Sequence, residues 1–228
     1  MVNTVETTSD GSGRAQAAPQ TGQAGTTVHG LRGPLLRAFT EAGWDGAAVV
    51  DLLTATDAQW DVVAATIRRL AEDRAETILL SAQGADAPDG PFLQTMLERE
   101  RAAREVLPWA TTLRLAPLIE DLGVYAERVV TAPAVHHGYS AGPVAWIRAK
   151  DVPMVAAAAR RQNTAEGAPG VFEFSGLHTA TVGEVLTAWA EAAGTTVELI
   201  PLPAEVFVEH LSGLGGPDFA AAVAAHNA

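Results

Sequence analysis

The sequence predicts an α/β fold, a truncated Rossmann-like parallel sheet flanked by helices, with a small C-terminal α/β part that binds substrate. Three observations predict it. Short apolar runs of strand type alternate with segments whose apolar residues recur at i, i+3 and i+4. Runs such as Ala47 to Leu53 are short and mostly apolar, the pattern of buried strands. The 228 residues are 48% hydrophobic and 18% charged, which supplies a core for one domain.

The elements follow in chain order. Residues 1–25 are rich in Thr, Ser, Gly, Gln and Ala, with no large apolar residue after Val5. Such a stretch buries too little surface to offset its ordering entropy and reads as a disordered leader. Residues 26–130 are expected to form a degenerate Rossmann-like core, and residues 131–228 a C-terminal substrate-binding part packed on it. Leu31 to Ala42 is weakly helical, and Ala47 to Leu53 reads as a buried strand. Thr56 or Asp57 then caps a helix to about Arg74, with Trp60, Val63, Ala64, Ile67, Leu70 and Ala71 on its apolar face. Thr77 to Leu80 is a strand ending at Ser81, and Asp86 to Gly90 is a loop. Phe92 to Leu107 is a helix with Leu93, Met96, Leu97 and Ala103 on one side. Thr111 to Leu115 is a third strand, and Pro117 starts a further helical piece.

Thr131 to Gly142 reads as a long loop and Val144 to Ile147 as a short strand. Asp151 is a suitable N-cap, with Pro153 in the first turn of a helix to about Arg161. Val171 to Phe174 is a strand. Thr181-x-x-Glu184 is a capping box for a helix that Gly194 stops. Val197 to Ile200 is a strand, Pro203 opens a helix to about Leu211, and Asp218 to Ala225 forms a last one.

Composition excludes several function classes. Lys+Arg is 15 and Asp+Glu is 27, a net charge of −12 that repels phosphate backbones and argues against nucleic-acid binding. With no cysteine there are no disulfides, thiolate metal sites or cysteine nucleophiles. No apolar run approaches the roughly 20 residues of a membrane span. The N-terminus lacks the basic start and apolar stretch of a signal peptide, so the expected location is cytoplasmic.

From Thr77 onward several segments, taken in order, resemble the NmrA-like branch of the atypical short-chain dehydrogenases. Thr77-Ile78-Leu79-Leu80-Ser81 is similar to that family's strand ending in a serine, and a small-residue loop follows it. Thr111 to Pro117 resembles its T-x-L-R strand, with Ile119-Glu120-Asp121-Leu122 after it. Lys150-Asp151-Val152 resembles its Asp-Ile-Ala helix start. Phe172 to Gly176 looks like its Y-x-L-T-G strand, and Thr195 to Glu205 like its terminal strand and P-x-E helix. The resemblance covers about two-thirds of the chain and rests on order and spacing rather than on one motif. It implies a Rossmann-like sheet and a substrate cleft at the carboxyl rim.

Upstream the match leaves no room for the first β-α-β unit, which carries the dinucleotide site. Such a site needs a strand, a glycine-rich turn and a helix whose N-terminus faces the pyrophosphate. The candidate string is Thr21-Gly22-Gln23-Ala24-Gly25. No apolar strand precedes it, and Gly30, Gly33 and Pro34 are expected to break the helix after it. Lys150 is the only lysine, and Trp146 stands four residues before it, so the superfamily's Tyr-x-x-x-Lys pair is missing too. The expectation is therefore no cofactor and no metal.

Acid–base chemistry remains. His136 and His137, with Tyr139 nearby, are the candidate catalytic groups, because imidazoles titrate near neutral pH. Ser81, Arg114, Glu120 and Tyr125 are candidate substrate-binding groups at the rim. Asp86, Asp89 and Asp121 are further acids near the rim, where a carboxylate buried beside apolar walls would serve proton transfer. The leading expectation is a cofactor-independent enzyme. It carries out cyclisation, isomerisation, dehydration or elimination on a small molecule of secondary-metabolite type. The alternatives are a non-catalytic NmrA-like regulatory or binding protein, and an NAD(P)H-dependent reductase in which Gly22 and Gly25 still hold phosphate. A truncated sheet also favours a homodimer or a partner chain covering its edge.

Overall fold

Five strands pair side by side as one parallel sheet. The computed structural model describes residues 28–55, 57–137, 142–166, 170–202 and 206. The strands are β1 (Val28–His29), β2 (Ala48–Asp51), β3 (Thr77–Ala82), β4 (Thr111–Leu115) and, after a separate strand β5 (Ala134–His137), β6 (Val171–Phe174). Their order is β1-β2-β3-β4-β6. Every residue of β2, β3 and β4 is buried, including Asp51, Ser81, Thr112 and Arg114 among the apolar ones. β5 pairs instead with β7 (Glu198–Pro201) in a second parallel sheet of two strands.

Alternate strand residues face two helical layers. On the first face Val49, Ile78, Leu80, Leu113 and Leu115 meet α1 (Gly33–Glu41) and α5 (Val152–Glu166) through Leu35, Phe39, Val152 and Ala156. On the second face Ala48, Val50 and Leu79 meet α2 (Asp57–Glu72) and α3 (Pro91–Val106) through Ile67, Leu70 and Ala103. A third core joins a 3₁₀ turn (Ile119–Tyr125), α4 (Ala126–Thr131), α6 (Val182–Ala192) and the small sheet around Leu122, Tyr125, Val135 and Leu186. The stretch after residue 142 thus serves two cores: α5 and β6 complete the main sheet, while α6 and β7 build the third core.

The steps β1→β2→β3→β4 all run the same way across parallel strands. Yet α1 lies on one face and α2 and α3 on the other. The unit β1–α1–β2 therefore has the opposite hand to the two units after it, a departure from the single hand that about 98% of such crossovers keep.

Four local expectations change. Gly33 and Pro34 open α1 rather than break a helix, because proline at the first turn loses no hydrogen bond there. The stretch expected as a loop contains β5, whose backbone finds a ladder partner in β7. Val144 and Ile147 form only isolated bridges, to Ala180 and Leu118. Asp151 closes a 3₁₀ turn (Ala149–Asp151) and bonds Arg148 at 2.9 Å instead of capping α5. The capping box of α6 forms as read, with Thr181 Oγ1 accepting from Glu184 N. The leader with Gly22 and Gly25, Thr56, Tyr139, and the expected helices after Pro203 other than residue 206 lie outside the described residues.

Candidate functional site

Two polar groups form at the carboxyl end of the main sheet, one on each face. On the second face, Ser81 and Arg114 are register partners on β3 and β4. Arg114 is 8% exposed. Its Nε and Nη2 donate to Glu100 on α3 at 3.1 and 3.0 Å, a two-pronged pair. Its Nη1 lies 3.1 Å from Asp86 and 3.7 Å from Glu173. The guanidinium is therefore committed to three carboxylates of the protein. Ser81 Oγ is fully buried beside it with no hydrogen-bond partner among the described residues. A shallow groove of about 420 Å³ passes along α3 and is walled by Leu97, Arg101, Arg104 and Arg114.

On the first face, Asp51 ends β2 and is fully buried. Its Oδ1 accepts from Leu53 N at 2.8 Å and Thr54 N at 3.3 Å, and its Oδ2 from Thr54 Oγ1 at 2.7 Å. Burial pushes its pKa up against these bonds and against the Arg32 charge. The 3₁₀ turn after β4 brings Glu120 and Asp121 to the same rim. Both Glu120 oxygens accept from Ala149 N at 3.1 Å, so this carboxylate holds the start of the turn that leads into α5. Asp121 is exposed to water on this turn, with protein crowded about its carboxyl group. Burial, then the charges of Glu120 and Asp51, push it up to about 6 against a bond from Leu118.

The third core places the other expected groups. Tyr125 is fully buried there, and burial raises its phenol to about 12, so it is a core residue. His136 is exposed on β5. His137 is half-buried, with Nδ1 lacking a hydrogen-bond partner among the described residues. Burial pushes its pKa down. Ser81 and Arg114 are thus together, Glu120 is on the opposite face of the sheet, and the histidines belong to a separate sheet.

Sequence reasoning missed three participants. Arg99 is 7% exposed and donates to the carbonyls of Leu52 and Ala55 and to Asp57, with its guanidinium over the Trp60 ring. Glu100, at 4% exposure, is the partner of Arg114. Asp51 was hidden inside a run read only as strand. A signal existed for the first two: charged residues at i+3 and i+4 from Met96 share its buried helix face. Among the described residues no three His, Asp or Glu side chains gather as a metal site.

Solved structures share this architecture. An NADPH-dependent quinone oxidoreductase of Escherichia coli matches with a TM-score of 0.64 at 17% identity, covering 88% of both chains. A dTDP-4-dehydrorhamnose reductase of Clostridium acetobutylicum matches at 0.60 and 13%, over 88% of this chain and 97% of its own. A triphenylmethane reductase of Citrobacter sp., complexed with NADP(H), matches at 0.57 and 15%, over 84% and 72%. The fold is the Rossmann type of such reductases and epimerases. No protein-family model matches the chain, and no curated protein matches it in sequence. No helix among the described residues is long and apolar enough to cross a membrane.

In dinucleotide-binding proteins of this fold the pyrophosphate sits where a strand leads through a glycine turn into a helix. Here β1 leads through Gly30 and Gly33, both at positive φ, into α1. β2 runs into Leu52-Leu53-Thr54, and the resident Asp51 carboxylate takes the backbone donors of that turn.

Proposed function

We propose that this chain is a cofactor-independent acid–base enzyme on an NmrA-like scaffold. It acts on a small hydrophobic or carbonyl-bearing molecule by cyclisation, isomerisation, dehydration or elimination. The observation that carries the reading is Asp121: a carboxyl group open to water at the carboxyl rim and raised to about 6. A group with a pKa near the working pH is present in both protonation states, which suits proton removal from one substrate atom and return to another. Glu120 accepts from Ala149 N and orients the turn that carries Asp121. His137, whose burial favours the neutral ring, is the second candidate base, with His136 and Tyr139 beside it in sequence. Ser81 and Arg114 form a separate candidate contact on the other face.

The test is a screen of carbonyl-bearing metabolites without added cofactor, comparing wild type with Asp121→Asn and His137→Ala. Losing one general acid–base group lowers the rate about 10²–10⁴-fold. With Asp121 as base, kcat/KM rises through pH 6, and that limb disappears in Asp121→Asn. Equal rates in wild type and Asp121→Asn would remove Asp121 from the mechanism.

A second reading, an NAD(P)H-dependent reductase, is favoured by one observation beyond the NADPH-dependent neighbours. β1 leads through Gly30-Leu31-Arg32-Gly33 into α1, with Gly30 and Gly33 both at positive φ. On this reading the phosphates are held at that edge turn or by Gly22 and Gly25. NADPH consumption with quinone or sugar-nucleotide substrates would distinguish it.

A further inference from the structure

The guanidinium of Arg114 is locked on one side and held by exchangeable partners on the other. We infer that the groove along α3 binds a small organic acid, a single carboxylate on a compact apolar body. The ligand carboxylate takes the place of Asp86 on Arg114. The groove lies on the second face of the sheet and Asp121 at the rim of the first. The inference therefore goes beyond the acid–base reading and does not rest on it.

The locked side is Glu100. Its two oxygens accept from Arg114 Nε and Nη2, and both residues are buried. A two-pronged pair of this kind fixes the plane of a guanidinium. Nη1 is left to Asp86, at 3.1 Å, and to Glu173, at 3.7 Å. Neither is built in as Glu100 is. The Asp86 side chain, on the loop after β3, is 60% exposed, and that of Glu173 is 45% exposed. An exposed ion pair contributes little net free energy, because water solvates both ions once they part. A second carboxylate can therefore replace Asp86 at small cost, on a prong whose direction is already set. Ser81, the register partner of Arg114, has a fully buried Oγ with no hydrogen-bond partner among the described residues. The protein thus leaves a buried polar group unused beside the same prong.

The groove arises because the helices stop short of the sheet edge. On the second face α2 and α3 pack over β2 and β3, while Val171 and Glu173 of β6 stay exposed. Arg114 on β4 stands between α3 and that open edge. Leu97, Arg101 and Arg104 follow one another at i, i+4 and i+7, so they form one stripe of α3. That stripe walls the groove, whose volume of about 420 Å³ suits a small molecule.

Charge selects the ligand. The chain carries a net charge of −12, yet three of its 15 Lys and Arg line this groove. Among the described residues Arg101 and Arg104 have no carboxylate within 4.0 Å. Glu105 is on the same wall but at ion-pair distance from neither. With Glu100 paired to Arg114, the wall keeps an excess of positive charge that one carboxylate neutralises. Leu97 offers the apolar contact for the rest of the molecule. A phosphate dianion suits the groove less, because the buried Glu100 charge behind the prong opposes its second charge.

The full-length ¹⁵N-labelled protein tests this, with phenylacetate as the acid and 2-phenylethanol as its neutral counterpart. The signals followed are the arginine Nε–H groups and the α3 amides. Phenylacetate titrated to about 10 mM, past the millimolar range of weak binding, is expected to shift Arg101, Arg104 and Arg114 saturably. The alcohol should leave them in place. Asp86→Asn removes the resident competitor and should tighten phenylacetate binding by up to about fivefold. Arg101→Gln/Arg104→Gln, on the surface of α3, should weaken it at least about threefold. Shifts that do not saturate, equal shifts with 2-phenylethanol, or an unchanged Kd in either variant would overturn the inference. Inorganic phosphate binding more tightly than phenylacetate would overturn it too.

Discussion

Arg114 lies at 8% exposure among Glu100, Asp86 and Glu173, and one substitution there separates a structural from a ligand-binding role. Removing it leaves Glu100, at 4% exposure, as a buried charge without its partner. Arg114→Ala should cost about 3–5 kcal/mol in urea unfolding, whereas the double replacement Arg114→Met/Glu100→Leu should recover most of it. A loss of substrate affinity in a fully stable Arg114→Ala protein would instead give the side chain to the ligand. The histidines act on stability through pH. Burial lowers the pKa of His29, helped by the Arg69 charge, and that of His137. The unfolded chain therefore binds more protons than the native one as pH falls below about 6.5. Stability present above that pH is lost on acidification. Urea midpoints should fall between pH 7.5 and 5, and the fall should shrink in His137→Phe. Both partners of Arg114 and the depth of His137 depend on packing between elements, so neither could be read from residue type.

Among the elements, α3 does more than cover the sheet. Arg99 ties it to the β2–α2 turn through Leu52, Ala55 and Asp57, and Glu100 ties it to β4. These adjacent residues brace the turn that carries Asp51 from one side and the strand that carries Arg114 from the other. Arg99→Ala should leave α2 and α3 formed but release the turn. Amide hydrogen exchange at Leu53 and Thr54 should then speed up at least tenfold, while β3 amides stay protected. Equal acceleration throughout the sheet would mean global destabilisation rather than a local brace. Most elements were legible because each has a local cause. The 3.6-residue period marks α2 and α3, short mostly apolar runs mark β2 and β3, and the capping box marks α6. β5 was not, since its four residues gain strand geometry only by pairing with β7, more than sixty positions away in the chain.

For the whole molecule, the sheet centre and the third core are separate bodies of apolar contact. Hydrogen exchange should therefore be slowest in β2, β3 and β4, faster in the two-residue edge strand β1, and distinct in β5 and β7. A single protection level across all of them would show one cooperative core. The opposite hand of β1–α1–β2 belongs to this scale too. It puts α1 beside α5 on the first face, while α2 and α3 cover the second.

Periodicity and composition were enough to establish an α/β chain with buried parallel strands, because burial on both faces forces apolar runs and amphipathic helices whatever the neighbours are. The absence of a lysine beside a tyrosine was equally plain from the residues alone. Tertiary structure alone decided which strand stands at the centre, which face each helix covers, and that Asp51, Glu120 and Asp121 meet at one rim. Local sequence encodes what a segment is. Strand order and the burial of a charge arise from contacts between segments far apart in the chain, which no local pattern records.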